Sequence, residues 1–116
     1  MWGKAHGITL ETYRVTKSFP REELYGLTSQ IRRCSASVAA NIAQGCGRRG
    51  NGEFHRFLQI ASGSASELDY QLLLARDLNL LEDGAYRSIL RKLSELRRML
   101  TALILRVDSE RLRAKC

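Results

Sequence analysis

The sequence predicts an all-α fold: one antiparallel up-down-up-down four-helix bundle forming a single domain over residues 1–116. Apolar residues recur at steps of three and four along almost the whole chain, the spacing that lines one face of a helix. No stretch alternates apolar and polar residues long enough to make a half-buried strand, and proline occurs once, at Pro20. The links between periodic segments are short, and short links force successive helices to lie antiparallel.

In the first segment Ala5, Ile8, Thr12 and Val15 share a face, predicting a helix over 3–17. Phe19-Pro20 stops it, because the proline ring disfavours a helical residue in front of it. Leu27, Ile31, Cys34, Val38 and Ile42 mark the second helix, which is expected to end near Gly45, a residue type suited to a helix C-terminus. Asn51 is placed to cap the third helix, with Glu53 in the first turn, where the helix dipole favours an acid. Phe54, Phe57, Leu58, Ala61, Ala65, Leu68, Leu72 and Ala75 form its stripe, which stops around Asn79 before the turn LEDGA. The fourth segment is the most regular: Ile89, Leu93, Leu96, Leu100, Leu103 and Val107 make a heptad seam.

Apolar residues also lie off these stripes. Leu73, Leu74, Leu90, Met99, Ile104 and Leu105 exceed what one small core is expected to hold, and a second apolar surface predicts self-association.

Lysine and arginine total 19 against 12 acidic residues, a net charge of +7 with a pI near 9.8, which favours polyanionic partners. The charge is segregated: net +1 over 1–31, +4 over 32–56, −4 over 57–86 and +6 over 87–116. Arg32 and Arg33 lie in the second helix, Arg48 and Arg49 in the loop beyond it, and Arg56 one turn into the third. In the fourth helix Arg87, Arg91 and Arg98 share a face opposite the heptad seam. Guanidinium groups grip phosphate with paired hydrogen bonds, so these eight arginines are candidates for a nucleic-acid contact; the alternative is a solvated helix surface. Tyr13, Tyr25, Tyr70 and Tyr86 are too dispersed for a base-stacking platform, so binding of RNA or DNA is expected to be backbone-directed. Neutralising about five phosphates gives a log–log salt slope near −4 to −5.

Catalytic and cofactor chemistry finds little support. The glycines of NIAQGCGRRG, Asn41 to Gly50, lack the lysine and the preceding strand of a P-loop, and read instead as a helix end and tight turn. His6 and His55 are isolated, and Cys34, Cys46 and Cys116 form no CxxC pair, so neither metal, cofactor nor disulfide framework is expected. Cys34 falls on the apolar stripe, a core position, whereas Cys46 falls in the loop beside Arg48 and Arg49. Glu67 and Asp69 are two apart, point to different faces and cannot act as an acid-base pair; with Asn41 and Gln71 they are expected in a buried hydrogen-bond network. No apolar run is long enough for a membrane span or signal peptide, and the expectation is a cytoplasmic, non-enzymatic protein.

The run LTSQIRRCSASVAANIAQGCGR followed by EFHRFLQIASGSASEL, with WGKAH and YRVTKSFP upstream, resembles the 23S ribosomal RNA intervening-sequence protein family. Ala39 stands where that family usually has proline, and Gln44 where it has glutamate. The resemblance implies an up-down bundle assembled as a homopentamer. It is similar also to accessory proteins of diversity-generating retroelements, basic bundles that bind nucleic acid and a reverse transcriptase. By that similarity Arg32, Arg33, Arg48 and Arg49 are candidates for nucleic-acid contact, and no catalytic residue carries over. The rival expectation is a protein-interaction adaptor, for instance for a reverse transcriptase.

Overall fold

The computed structural model describes residues 1–47 and 50–115, with side chains described as far as Arg113. Four helices make up the fold: α1 (Trp2–Thr16), α2 (Leu27–Cys46), α3 (Asn51–Asp77) and α4 (Asp83–Lys115), with a single 3₁₀ turn, Arg21–Glu23, between α1 and α2. No strand occurs among the described residues, and no helix of theirs is long and apolar enough to cross a membrane.

The helices pack in ring order, α1 on α2, α2 on α3, α3 on α4 and α4 on α1, and neither diagonal pair approaches closely. Cross-helix contacts run in opposite numerical order, which makes every neighbouring pair antiparallel. Arg32 reaches Thr16 while Ser35 receives Thr9; Ser37 meets Ser64 while Cys34 meets Glu67. Lys4 meets Glu95 while Glu11 meets Lys92.

The stripes read from the sequence become the core. Ile31, Ile42, Leu58, Leu68, Leu72, Ile89, Leu93, Leu96 and Leu100 are fully buried, with Ala61, Ala65 and Ala75 letting α3 approach its neighbours. Each buried leucine or isoleucine contributes on the order of 1.5–3 kcal/mol from removal of its side chain from water. Thr12 and Thr16 on α1 are buried without penalty because their hydroxyls return to the carbonyls of Ile8 and Thr12 at 2.7 and 2.9 Å.

The second helix ends within a residue of Gly45, as the spacing predicts, but the glycines around that boundary have separate roles. Gly45 lies inside α2, which runs on to Cys46, and its role is close packing: a Cβ there would stand 3.1 Å from both Phe54 and Phe57 of α3. The residue that needs glycine for its backbone is Gly50, at φ +85°, immediately ahead of α3. Asn51 is accordingly the first helical residue rather than a cap, and its Nδ2 donates to Glu110 Oε2 of α4 at 3.1 Å. At the other end α3 stops at Asp77, and Asn79 takes the left-handed conformation at φ 62°.

The helices differ in length, and that shapes the surface. With 15 residues against 33, α1 covers only part of α4. At 1.5 Å per residue α4 extends about 50 Å, close to the 54 Å long axis of the molecule. Beyond the contact of Lys4 with Glu95 the remainder of α4 leaves α1 behind and is pinned to the start of α3, where His55 Nε2 lies 2.7 Å from Asp108 Oδ1. Of the off-stripe apolar residues, Leu73, Leu74, Leu90 and Ile104 pack against the core, whereas Met99 and Leu105 remain exposed, joined by Leu112.

Candidate nucleic-acid interface

Six of the eight predicted arginines lie among the described residues, in four environments. Arg48 and Arg49 lie outside the described residues. Arg32 and Arg33, adjacent in α2, diverge by the 100° turn between successive helical residues. Arg32 is half-buried against α1: its Nε donates to Thr16 Oγ1 at 2.8 Å, and its guanidinium lies over the Tyr13 ring, 5.0 Å from the centroid. Arg33 is exposed on the opposite flank of α2, at the mouth of a polar groove between α2 and α3.

Arg56 and Arg87 are exposed but engaged. Arg56 lies 3.8 Å from Glu53 one turn earlier and 4.8 Å from the centroid of the Phe57 ring. Arg87 Nε pairs with Asp83 at 2.9 Å, four residues before it. Exposed pairs of this kind hold a side chain only weakly, so a phosphate competes for both guanidiniums.

Arg91 and Arg98 differ. Both are exposed on the side of α4 turned away from the seam, and the acid nearest them, Glu95, is already taken by Lys4 Nζ at 2.7 Å. That hydrogen bond, reinforced by the charge of Lys4 and, further off, of Arg98 and Arg91, holds the Glu95 carboxyl below the ordinary carboxylate range. Neither arginine has an ion pair among the described residues. Arg106 is exposed further along the same helix. By contrast Arg97, only one residue before Arg98, turns towards α3 and is bound by Asp69 and Ser66.

The six described members of the predicted set therefore do not form one surface. Because α2 and α4 are diagonal in the ring, the α4 arginines face away from Arg33, across a bundle whose shorter dimensions are 22 and 20 Å. Sequence reasoning also passed over Lys17 and Arg21, which stand with Arg32 around the corner joining α1 to α2. Their signal was present in KSFPR, where the only proline folds two cations back towards the helix that follows.

The polar residues of the α2 and α3 interiors are half as connected as expected. Glu67 turns to α2 and accepts a hydrogen bond from Cys34 Sγ at 3.1 Å, while Asp69 turns to α4, so the two carboxylates do face apart. Asn41 Nδ2 donates to the Ser37 carbonyl at 2.8 Å, and the Ser37 and Ser64 hydroxyls are 2.9 Å apart. Gln71 joins the network only in part: its side chain hydrogen-bonds Cys34, while its Oε1 is buried without a partner. Burial, and then the Glu67 hydrogen bond and charge, push the Cys34 thiol up to about 11, which keeps it a protonated donor rather than a nucleophile.

The profile of the 23S rRNA-intervening sequence protein family matches residues 1–102. A crystal structure from Bacteroides thetaiotaomicron VPI-5482, of a protein with unknown function from the S23 ribosomal protein family, is similar in fold. The two align with a TM-score of 0.80 at 23% identity, over 89% of this chain and 96% of that one. Comparison with curated proteins returns no match.

Proposed function

The chain belongs to the 23S rRNA-intervening sequence protein family, and from that premise we propose a non-enzymatic, oligomeric scaffold that grips the phosphate backbone of RNA or DNA. The observation that carries the reading is the outward face of α4. There Arg91 and Arg98 stand exposed without carboxylate partners among the described residues, and Arg87 is only weakly held. From residue 87 to 98 the row covers about 17 Å of helix, enough to follow two or three successive phosphates. Contacts of this kind position a protein on the backbone without reading bases.

Self-association, expected from the resemblance as a homopentamer, is supported by the apolar side chains that one subunit leaves uncovered. Leu105 and Leu112, one and two heptads after Arg98, are 61% and 67% exposed on the same outward side of α4, towards its C-terminal end. The same strip favours the second reading, a protein-interaction adaptor whose partner, for example a reverse transcriptase, covers those side chains. Alanine at Arg91 and Arg98 separates the two. In the first reading it lowers affinity for a 20-base-pair RNA or DNA duplex about tenfold or more at 0.1 M salt, while the sedimenting mass is unchanged. In the adaptor reading duplex binding is weak in both proteins and the substitution does not alter it.

A further inference from the structure

The corner where α1 ends, the 3₁₀ turn crosses and α2 begins holds a pocket of about 390 Å³ that the α4 face does not use. Three cations, Lys17, Arg21 and Arg32, line it, and no carboxylate does. The nearest acid of that corner, Glu23, turns Oε2 to the Leu27 amide at 3.3 Å and so closes the start of α2 rather than neutralising the pocket.

Arg32 is held there by neutral groups alone. Its Nε is fixed on Thr16 Oγ1 and its plane on the Tyr13 ring, while its two terminal nitrogens make no hydrogen bond among the described residues. An arginine oriented in this way presents a ready fork of donors at little entropic cost. Beside it Thr28, 3% exposed, carries a buried Oγ1 with no hydrogen-bond partner. A buried hydroxyl is ordinarily satisfied, so its solitude inside a cationic pocket marks a place for an acceptor. Pro20 and Leu24, the latter 42% exposed, supply an apolar wall next to the charges.

A compact oxyanion carrying an organic group answers each of these features: charge for the cations, acceptors for the Arg32 fork and the Thr28 hydroxyl, and an apolar body for the wall. We propose that this corner is a phosphomonoester pocket, taking the phosphate of a free nucleotide or the terminal phosphate of a nucleic-acid strand. It does not rest on the α4 face, from which α1 separates it.

Calorimetric titration of the full chain tests it with adenosine 5′-monophosphate, with adenosine, and with a six-residue oligothymidine carrying either a 5′-phosphate or a 5′-hydroxyl. The expected result is one site per subunit for the monophosphate and at least tenfold weaker binding of adenosine. Arg32→Gln is expected to weaken the monophosphate at least tenfold. Because Arg32 also braces α1, the double variant Lys17→Gln and Arg21→Gln, both exposed, carries the same expectation without touching the core. The double variant Arg91→Ala and Arg98→Ala, which removes the α4 face, should bind the monophosphate as the unaltered protein does. A phosphorylated oligonucleotide binding tenfold more tightly than the monophosphate assigns the pocket to strand ends, and equal affinity assigns it to free phosphomonoesters. The proposal is overturned if the monophosphate gives no binding, if Lys17→Gln and Arg21→Gln leave its affinity unchanged, or if, in the variant that lacks the α4 face, the 5′-hydroxyl oligonucleotide binds as well as the phosphorylated one.

Discussion

Arg32 and Arg33 are neighbours in the sequence, yet the structure gives them different work. Composition cannot separate them; the helical turn does, sending one onto Tyr13 and the other into solvent. Glu11 is a comparable case, because nothing in its neighbourhood in the chain marks it as the one buried acid of α1. Burial alone would raise its carboxyl, but hydrogen bonds from Lys92 at 2.6 Å and Ser88 at 3.1 Å, with the charge of Lys92, outweigh that and hold it below the usual range. A pKa lower in the folded state means that the unfolded chain takes up the proton first. The contribution of Glu11 is therefore full above the ordinary carboxylate pKa, about 4.3, and is lost as pH falls through the lower folded value. Glu11→Gln should cost about 1–2 kcal/mol in urea unfolding at pH 7, discounted because Lys92 is partly solvated. Its stability should also fall less than that of the unaltered protein between pH 5 and pH 3. The cysteines give a second residue-scale test. Iodoacetamide at pH 8, followed by peptide mapping, should label exposed Cys46 well before Cys34, whose thiol is buried and bonded to Glu67.

At the scale of elements, periodicity located all four helices, and the heptad seam of α4 is buried from Ile89 to Leu100 and again at Val107. The boundary between α2 and α3 was less legible, because glycine has several uses and the sequence does not say which applies. The helix does end next to Gly45, yet that glycine is also a packing contact, and Asn51, which the spacing marks as a cap, is the first helical residue and bridges to α4. Only the position of Phe54 and Phe57 across the junction, a tertiary fact, distinguishes these roles. Alanine at three glycines tests the assignments together. Gly45→Ala gains up to about 1 kcal/mol of helix propensity but crowds two phenylalanines, and should be net destabilising by about 1 kcal/mol. Gly50→Ala, at positive φ, should cost about 1–2 kcal/mol through backbone strain alone. Gly47→Ala, with φ −87° and a Cβ at ordinary contact distance from Gln44, should be close to neutral. Thermal unfolding of the three variants reads the order directly.

For the whole molecule, the decisive property is the direction in which its charges face. The segment totals showed that α2 and α4 are basic, but not that the ring places them on diagonal corners, so that Arg33 and the α4 arginines face different ways within a subunit. Nor could they show which cations are spent internally: Arg97 and Arg98 are indistinguishable by type, and only Arg97 is bound by Asp69. The outward side of α4 matters at the same scale, since beyond Arg98 it carries Leu105 and Leu112 uncovered. Replacing both by glutamine should reduce the sedimenting mass of the assembly while leaving helix content unchanged. An unaltered mass would place the subunit interface elsewhere.

Exposed guanidiniums of α4 meeting phosphates are the central contact, and the salt dependence of duplex affinity measures it directly. Between 0.05 and 0.3 M salt, log affinity should fall linearly with log salt at a slope near −4 to −5. With Arg91→Ala and Arg98→Ala together, the slope should become shallower by about two for each subunit engaged. A flat response, or an unchanged slope in the double variant, would contradict it.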